Sequence, residues 1–150
     1  MQIYVGADHR GFTLKGKMKA LLEEEGYSVT DCGNSAYDKD DDYPDFVFAV
    51  ADSVVGEKGS FGIVFCGSGG GATFAANKVL GIRCVPANNV EDVKHNRNHN
   101  DANILAVGAD HTLEADVRRT IEAFLTTPFG SEERFLRRLR KVEEREKPNI

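Results

Sequence analysis

The part of the sequence best suited to chemistry is a cysteine followed by a glycine-rich stretch. Directly after Cys66 come Gly67, Ser68, Gly69, Gly70 and Gly71. With so little side-chain bulk, backbone N–H groups can converge on one point, and at the start of a helix such a loop binds anions. A thiol at a helix N-terminus is also ionised more readily than a free one. The stretch therefore predicts either a nucleophile or a base that removes a proton beside a carbonyl, next to a hole for an oxyanion.

This stretch differs from the common nucleotide-binding loops. It lacks the Gly-Lys-Ser/Thr ending of a Walker loop, and it does not follow the first apolar run as a dinucleotide-binding fingerprint would. Its glycine spacing leaves open whether the bound anion is a phosphate or an enediolate. No comparable loop follows Cys32 or Cys84, and we expect both to be structural cysteines.

Two other polar segments contain groups that transfer protons. Asp8 and His9 follow the first apolar run, and such a pair can transfer protons or orient a hydroxyl, although Asp8 could equally cap a helix. His95 and His99 lie four residues apart and could share a metal on one helix face, but a third ligand is not evident, and we expect no metal. His99 and Asn100 could instead supply an acid–base group and a hydrogen-bonding partner.

The hydrophobic pattern predicts the scaffold that would position these segments. Short apolar runs of strand type alternate with longer runs of helical periodicity. The predicted strands are 3–7, 27–31, 61–65, 82–86 and 104–107. The predicted helices are 14–25, 44–55, 72–78, 90–97, 113–125 and 132–146. This alternation predicts an α/β fold with a parallel sheet covered on both faces, in a single domain spanning 1–150.

Composition and charge exclude several classes of protein. The net charge of −5 gives no reason to expect nucleic acid or an anionic membrane as a partner. Neither a signal peptide nor an apolar stretch of membrane length is apparent, and the cysteines lack metal-ligand spacing, so we expect free thiols and a cytoplasmic protein. An arginine cluster near the C-terminus could be an anion site or a solvated helix face. Its members are Arg134, Arg137, Arg138 and Arg140.

Taken together, the motifs resemble those of the ribose-5-phosphate isomerase type B family, which also contains the galactose-6-phosphate isomerase subunits. They run in family order over nearly the whole chain. The motifs are Gly6-Ala7-Asp8-His9-Arg10-Gly11-Phe12, Asp42-Tyr43-Pro44-Asp45, Cys66-Gly67-Ser68-Gly69-Gly70-Gly71, Ala75-Ala76-Asn77-Lys78, Gly81-Ile82-Arg83 and His99-Asn100-Asp101-Ala102-Asn103.

The resemblance implies a fold, an activity and an assembly. The fold would be a Rossmann-like three-layer α/β/α sandwich with a five-stranded parallel sheet. The activity would be the interconversion of an aldose and a ketose phosphate, of the ribose 5-phosphate and ribulose 5-phosphate type, through a cis-enediolate. It implies neither a metal nor an organic cofactor. The assembly would be a homodimer with two shared sites, or a tetramer built from such dimers.

The resemblance also implies roles for individual residues. Cys66 matches the base, Ser68 stands where a threonine is commoner and can relay a proton, and the backbone of Gly67 to Gly71 matches the hole for the enediolate. His99 and Asp8 match the pair credited with opening the sugar ring. The substrate contacts matched are His9 on the phosphate side, Asn100, Arg134, and either Arg138 or, without a one-residue insertion in the preceding loop, Arg137.

The order of these residues along the chain points to sites shared between subunits. Cys66 follows its predicted strand and falls at the carboxyl end of the sheet, whereas His99 precedes its strand and falls at the amino end. We therefore expect His99, Asn100 and the arginines to reach the site from a partner subunit. The polar helix 132–146 is expected to lie across that partner, because its sequence offers little to bury on its own sheet.

Two positions depart from the family pattern. Asp110 stands where many relatives carry a phosphate-binding arginine, and Phe135 replaces a histidine. A carboxylate near a phosphate should weaken binding unless the pocket is rearranged. Galactose 6-phosphate, allose 6-phosphate or a tetrulose phosphate therefore remain alternative substrates. Two further alternatives are a non-catalytic sugar-phosphate-binding module and, less in keeping with the resemblance, cysteine-dependent hydrolysis.

Overall fold

The core of the protein is a five-stranded parallel sheet, as the sequence predicts. The computed structural model describes residues 1–148. The strands are β1 (Gln2–Ala7), β2 (Ser28–Asp31), β3 (Phe61–Cys66), β4 (Cys84–Pro86) and β5 (Ile104–Gly108), in the order β2-β1-β3-β5-β4. In the register of the three central strands, Ala7 pairs with Phe65 and Cys66 pairs with Gly108. The ends of β1, β3 and β5 therefore meet at one edge of the sheet, which we call the carboxyl edge.

Helices cover both faces of this sheet. They are α1 (Phe12–Glu24), α2 (Tyr43–Gly56), α3 (Gly70–Ala76), α4 (Val90–Asn100), α5 (Glu114–Thr126) and α6 (Glu133–Glu146). Successive strand residues point to opposite faces, so Phe65 packs with buried residues of α1, α4 and α5 while Cys66 packs with those of α2 and α3. The result is the predicted three-layer α/β/α sandwich, with Cys66 on the α2–α3 side.

Some elements differ in extent from the sequence prediction. Strand β4 covers only Cys84–Pro86, because the turn before it runs to Gly81, which has a φ of +87°, and the Ile82 N–H bonds the Val79 carbonyl at 3.1 Å. Helix α4 continues to Asn100, where Arg97 bonds Asp101 Oδ1 at 3.0 Å and Asp101 ends the helix with a φ of 48°. His99 and Asn100 therefore lie on the last turn of α4 rather than in a loop.

The C-terminal helix α6 is largely exposed. Phe135 is its one buried residue, and near the other end of the helix the Glu146 carboxylate accepts a hydrogen bond from the Gly81 N–H at 3.3 Å. The predicted domain 1–150 includes Asn149 and Ile150, which lie outside the described residues. Within residues 1–148, no helix combines the length and the apolar character needed to cross a membrane.

Candidate active site

Cys66 ends the central strand β3 at the carboxyl edge, where its side chain is buried. The residue is 4% exposed, and its Sγ accepts a hydrogen bond from the Gly69 N–H at 3.1 Å. The chain reverses tightly to do this, since Gly69 has a φ of +82° and occupies the N-cap position of α3. A side chain at that φ would be strained, which explains why glycine stands there. The loop thus holds one backbone donor against the sulfur.

The other glycines of this loop allow close approach of neighbouring groups. A Cβ on Gly71 would lie 2.6 Å from the Tyr43 ring, and one on Gly67 would lie 2.7 Å from the Arg10 guanidinium carbon. The Gly70 N–H donates to Ser68 Oγ at 3.2 Å. Gly71 lies in the first turn of α3, where N–H groups have no acceptor within the helix. The segment predicted to form the oxyanion hole therefore offers a Gly71 N–H that has no acceptor within the helix.

Asp8 and His9 occupy the turn after β1, at the same edge. Asp8 is 6% exposed, and its Oδ1 accepts hydrogen bonds from the N–H groups of Arg10 and Gly11 at 3.0 and 3.1 Å. The carboxylate thus closes the turn before α1, whose N-cap is Gly11, so Asp8 is not the helix cap that the sequence left as an alternative. The turn packs on the end of β3, where a Cβ on Gly11 would lie 2.6 Å from Phe65, the residue before Cys66.

His9 is held by a carboxylate that the sequence did not single out. Asp41 Oδ1 lies 2.7 Å from His9 Nδ1 and 2.9 Å from the His9 backbone nitrogen. The Asp41 hydrogen bond raises the pKa of His9 and so favours the cationic ring. Burial raises the pKa of Asp41, but the bonds from His9 outweigh it and the net shift is downward. His9 is therefore a cation at the carboxyl edge over a wider pH range than a free histidine.

Asp8, His9 and Asp41 also form the one cluster, among the described residues, with three potential metal ligands. One donor atom from each lies within 4.8 Å of the others. Asp8 Oδ1 accepts hydrogen bonds within the turn after β1, and Asp41 Oδ1 is bonded to His9. The cluster is accounted for as a hydrogen-bonded support of His9.

At the opposite edge of the sheet, His99 lies in a stack of rings. Its ring centroid is 4.0 Å from that of His95 and 4.2 Å from that of Phe135, with interplanar angles near 30°. Burial, followed by the charges of His95 and Arg134, lowers the pKa of His99 and favours the neutral ring. Phe135, which departs from the family pattern, thus covers one face of the predicted ring-opening histidine. No third ligand joins His95 and His99 within residues 1–148.

The end of α4 that carries His99 is held in place by a buried arginine, Arg97. Arg97 is 5% exposed and sits over the Phe61 ring at 4.8 Å, and it donates to the carbonyls of Ala102 and Thr127. Asn100 is exposed, and its amide donates to Asn96 Oδ1 at 2.9 Å. His99 and Asn100 are therefore displayed at the surface from a rigid support.

The arginines of α6 are exposed. Arg134 pairs with Glu132 at 3.1 Å and lies over the Phe135 ring at 5.0 Å, which places it beside His99. Arg137 and Arg138 have no carboxylate within 4.0 Å among residues 1–148. Arg137 and Arg138 are therefore available to an anion brought by another molecule, whereas Arg134 already shares one N–H group with Glu132.

The predicted site residues thus fall into two groups. Asp8, His9, Ser68 and the glycines gather with Cys66 at the carboxyl edge. His99, Asn100 and the arginines gather with Phe135 near the amino ends of β4 and β5, where His99 stacks on His95 and Phe135 and Asn100 bonds Asn96. A further pair at the carboxyl edge, Arg10 with Asp110, was missed as a pair, since its members are a hundred residues apart in sequence.

Comparison with known proteins supports the same interpretation. The profile of the family described as Ribose/Galactose Isomerase matches residues 3–142. The chain is 43% identical over 139 residues to a ribose-5-phosphate isomerase B of Mycolicibacterium paratuberculosis, covering 93% of this chain and 87% of that protein.

Solved structures of similar sequence share the whole fold. Ribose-5-phosphate isomerase B of Mycoplasma genitalium, with bound ribulose-5-phosphate, superposes with a TM-score of 0.92 at 33% identity, covering 97% of this chain and 95% of that one. The enzyme of Clostridium thermocellum gives 0.93 at 38% identity, with 97% of both chains covered. From its fold, its motifs and these matches, the chain belongs to the ribose/galactose isomerase family.

Proposed function

We propose that this chain, as an aldose–ketose isomerase of a phosphorylated sugar, uses Cys66 to move a proton between the two carbons that share the carbonyl and hydroxyl groups. The observation that carries the proposal is the Gly69 N–H bonded to Cys66 Sγ at 3.1 Å, beside the first turn of α3. An N–H donor is the partner that a thiolate needs. The Gly71 N–H of that first turn then faces the oxygen on which charge develops.

The chemical step follows from these positions. The Cys66 thiolate removes the proton from the carbon beside the carbonyl, and the electron pair of that C–H bond forms the enediolate. Backbone N–H groups of the loop stabilise the new oxyanion, while the exposed Ser68 hydroxyl carries a proton between the two oxygens. The Cys66 thiol then returns its proton to the neighbouring carbon. Atoms and charge balance with no external oxidant or reductant.

Ring opening and phosphate binding would use the second group of residues. A neutral His99 suits proton transfer to or from the ring oxygen and the anomeric hydroxyl, with Asp8 as its partner. Because His99 and Cys66 lie at opposite edges of one chain, the proposal requires a homodimer in which α4 and α6 of one subunit complete the site of the other. Arg134, with Arg137 or Arg138, would then meet the phosphate across that interface, and His9 would meet it from the same subunit as Cys66.

The proposed substrate pair is ribose 5-phosphate and ribulose 5-phosphate. The support is that a relative with a TM-score of 0.92 holds ribulose-5-phosphate. The proposed compartment is the cytoplasm, where a mechanism based on a free thiol is protected from oxidation. The three cysteines at positions 32, 66 and 84 are all unpaired.

The test is a pair of cysteine variants. Cys66→Ala should abolish isomerisation of ribose 5-phosphate and exchange of the substrate proton in deuterated water, with a fall in kcat of about 10³-fold or more and an unchanged fold by circular dichroism. Cys84→Ala is the matched control. Its thiol is buried on β4, which β5 separates from β3, and burial raises its pKa to about 12, so it stays protonated and should contribute nothing to the reaction.

Substantial activity in Cys66→Ala would remove this residue from the role of base. A panel of four- to six-carbon sugar phosphates, assayed by the same proton exchange, identifies the substrate. Exchange with a six-carbon phosphate but not with ribose 5-phosphate would replace the proposed substrate and leave the role of Cys66 intact.

A further inference from the structure

An ion pair links the loops after β1 and β5 across the Cys66 loop. The Arg10 guanidinium is bonded to the Asp110 carboxylate. The same guanidinium lies flat over Gly67, where a Cβ would be within 2.7 to 2.8 Å of its carbon and two of its nitrogens. Glycine at position 67 is therefore what lets the guanidinium rest on the residue next to Cys66.

Both ends of this pair are anchored by backbone hydrogen bonds. The Asp110 N–H donates to the Gly67 carbonyl at 3.0 Å, and the Ala109 N–H donates to the Cys66 carbonyl at 2.8 Å. On the other side, the Arg10 N–H donates to the buried Asp8 carboxylate at 3.0 Å. The guanidinium is held between these two anchored segments by its bond to Asp110 and its contact with Gly67.

The guanidinium keeps donors for a second anion. Arginine has five N–H donors in a planar fork, and one carboxylate can use only part of them. The Arg10 side chain remains 57% exposed although it rests on the loop. His9, the adjacent residue, presents a second cationic ring held by Asp41. An exposed ion pair adds little to stability, so a fixed, half-exposed cation beside a catalytic loop requires another explanation.

We propose that Arg10 binds the phosphate group of the substrate at the carboxyl edge, and that Asp110 is the positioning residue that holds its guanidinium over Gly67. The proposal rests on the proposed function for the identity of the substrate. It also reverses the expectation for Asp110, because a carboxylate neutralised by Arg10 supports an anion site instead of repelling the anion. The phosphate then has a cation from the subunit that carries Cys66.

The test measures KM, kcat and competitive inhibition by inorganic phosphate. Arg10→Ala should raise KM for the sugar phosphate and the inhibition constant of phosphate about tenfold, the loss of one charge-assisted contact, with kcat changed less than about twofold. Asp110→Asn should raise KM and the inhibition constant of phosphate by about threefold, because the Arg10 guanidinium remains but loses the carboxylate that anchors it. Arg118→Ala is the control, since Arg118 on α5 forms an ion pair of similar exposure with Glu25, which follows α1.

Unchanged KM and phosphate inhibition in Arg10→Ala would overturn the proposal, and tighter phosphate binding in Asp110→Asn would overturn the positioning role. Phosphate binding measured by calorimetry separates this proposal from the proposed function. If the wild-type chain binds phosphate, Arg10→Ala loses it and neither isomerises any sugar, then the Arg10 site stands and the proposed function fails. If Arg10→Ala isomerises the sugar phosphate and binds phosphate as well as the wild type does, the proposed function stands and the Arg10 site fails.

Discussion

Two histidines at opposite edges of the sheet have pKa values shifted in opposite directions. At the carboxyl edge, the hydrogen bond to Asp41 raises the pKa of His9. At the other edge, burial and the charges of His95 and Arg134 lower the pKa of His99. One ring is favoured as a cation and the other as a neutral base, which is the division of labour needed to bind an anion and transfer a proton.

The cause of the difference lies in the neighbours that each element provides. His9 sits in a turn opposite the acidic loop that leads into α2, so a carboxylate faces its Nδ1 at 2.7 Å. His99 sits on the last turn of α4, between the rings of His95 and Phe135. Each region contains half of the expected machinery, since the thiol lies with His9 and the arginines lie with His99. The proposed mechanism therefore requires a second chain to bring the two halves together.

Subunit mixing gives the largest expected effect. Cys66→Ala and His99→Ala should each be inactive as homodimers, because each lacks one group in both sites. The mixed dimer of the two variants should recover about half of wild-type activity, because one of its two sites is intact. Activity is measured after co-expression with two tags and isolation of the doubly tagged dimer.

The control for this mixing uses two residues from the same edge. Cys66→Ala mixed with Asp8→Asn should stay inactive, because both defects belong to the same subunit's half of each site and no mixed dimer has an intact one. Recovery in the control, or none with His99→Ala in a proven heterodimer, would contradict the division of the site between chains.

A substitution at Asp41 tests the carboxyl edge and should have an intermediate effect. In the wild type the raised pKa of His9 keeps its ring cationic as the pH increases, so KM should begin to rise only when the pH passes that raised pKa. Asp41→Asn removes the carboxylate that raises the pKa, and the rise in KM should begin at lower pH. At pH 7.5 we expect KM to be about threefold to tenfold higher than in the wild type.

The measurement is KM across pH 6 to 9 with kcat recorded in parallel. Asp40→Asn is the matched control, because Asp40 is an exposed neighbour in the same loop whose N–H bonds Asp38, whereas His9 is bonded to Asp41. An equal shift in both variants would mean that the loop's net charge, rather than the Asp41 contact, sets the pKa of His9.

The same contrast shows what the sequence could predict. Apolar runs and helical periodicity were sufficient for five strands, six helices and the carboxyl-edge position of Cys66. The family motifs pointed to His9, but the carboxylate that tunes it could not be chosen from five aspartates between positions 38 and 45. That choice depends on how the loop folds back on β1, through the Asn34 amide at 3.3 Å from Asp41 Oδ2.

Side-chain pairs between residues far apart in the chain could not be predicted from the sequence pattern for a related reason. Arg10 and Asp110 meet only because β1 and β5 flank β3 in the sheet, and nothing local to either residue specifies its partner. Phe135 was recognised as a departure from the family pattern, but its stacking on His99 depends on where α6 crosses α4. Local propensity therefore predicted the elements, and the side-chain pairs required the packed structure.

The smallest expected effect tests the His99 edge. Phe135→Leu removes the ring that covers one face of His99 and admits solvent, so the pKa of His99 should rise toward its ordinary value. If neutral His99 is required for ring opening, the acidic limb of the kcat profile should move to higher pH. Activity should fall about threefold near pH 6 and change little near pH 8. Leu139→Ala, which trims a half-buried residue one turn further along α6, is the control for loss of helix packing. The acidic limb could instead stay in place in Phe135→Leu while His99→Ala is inactive. That result would show that the stack orients His99 without setting its charge, and the contrast with His9 would then be one of geometry alone.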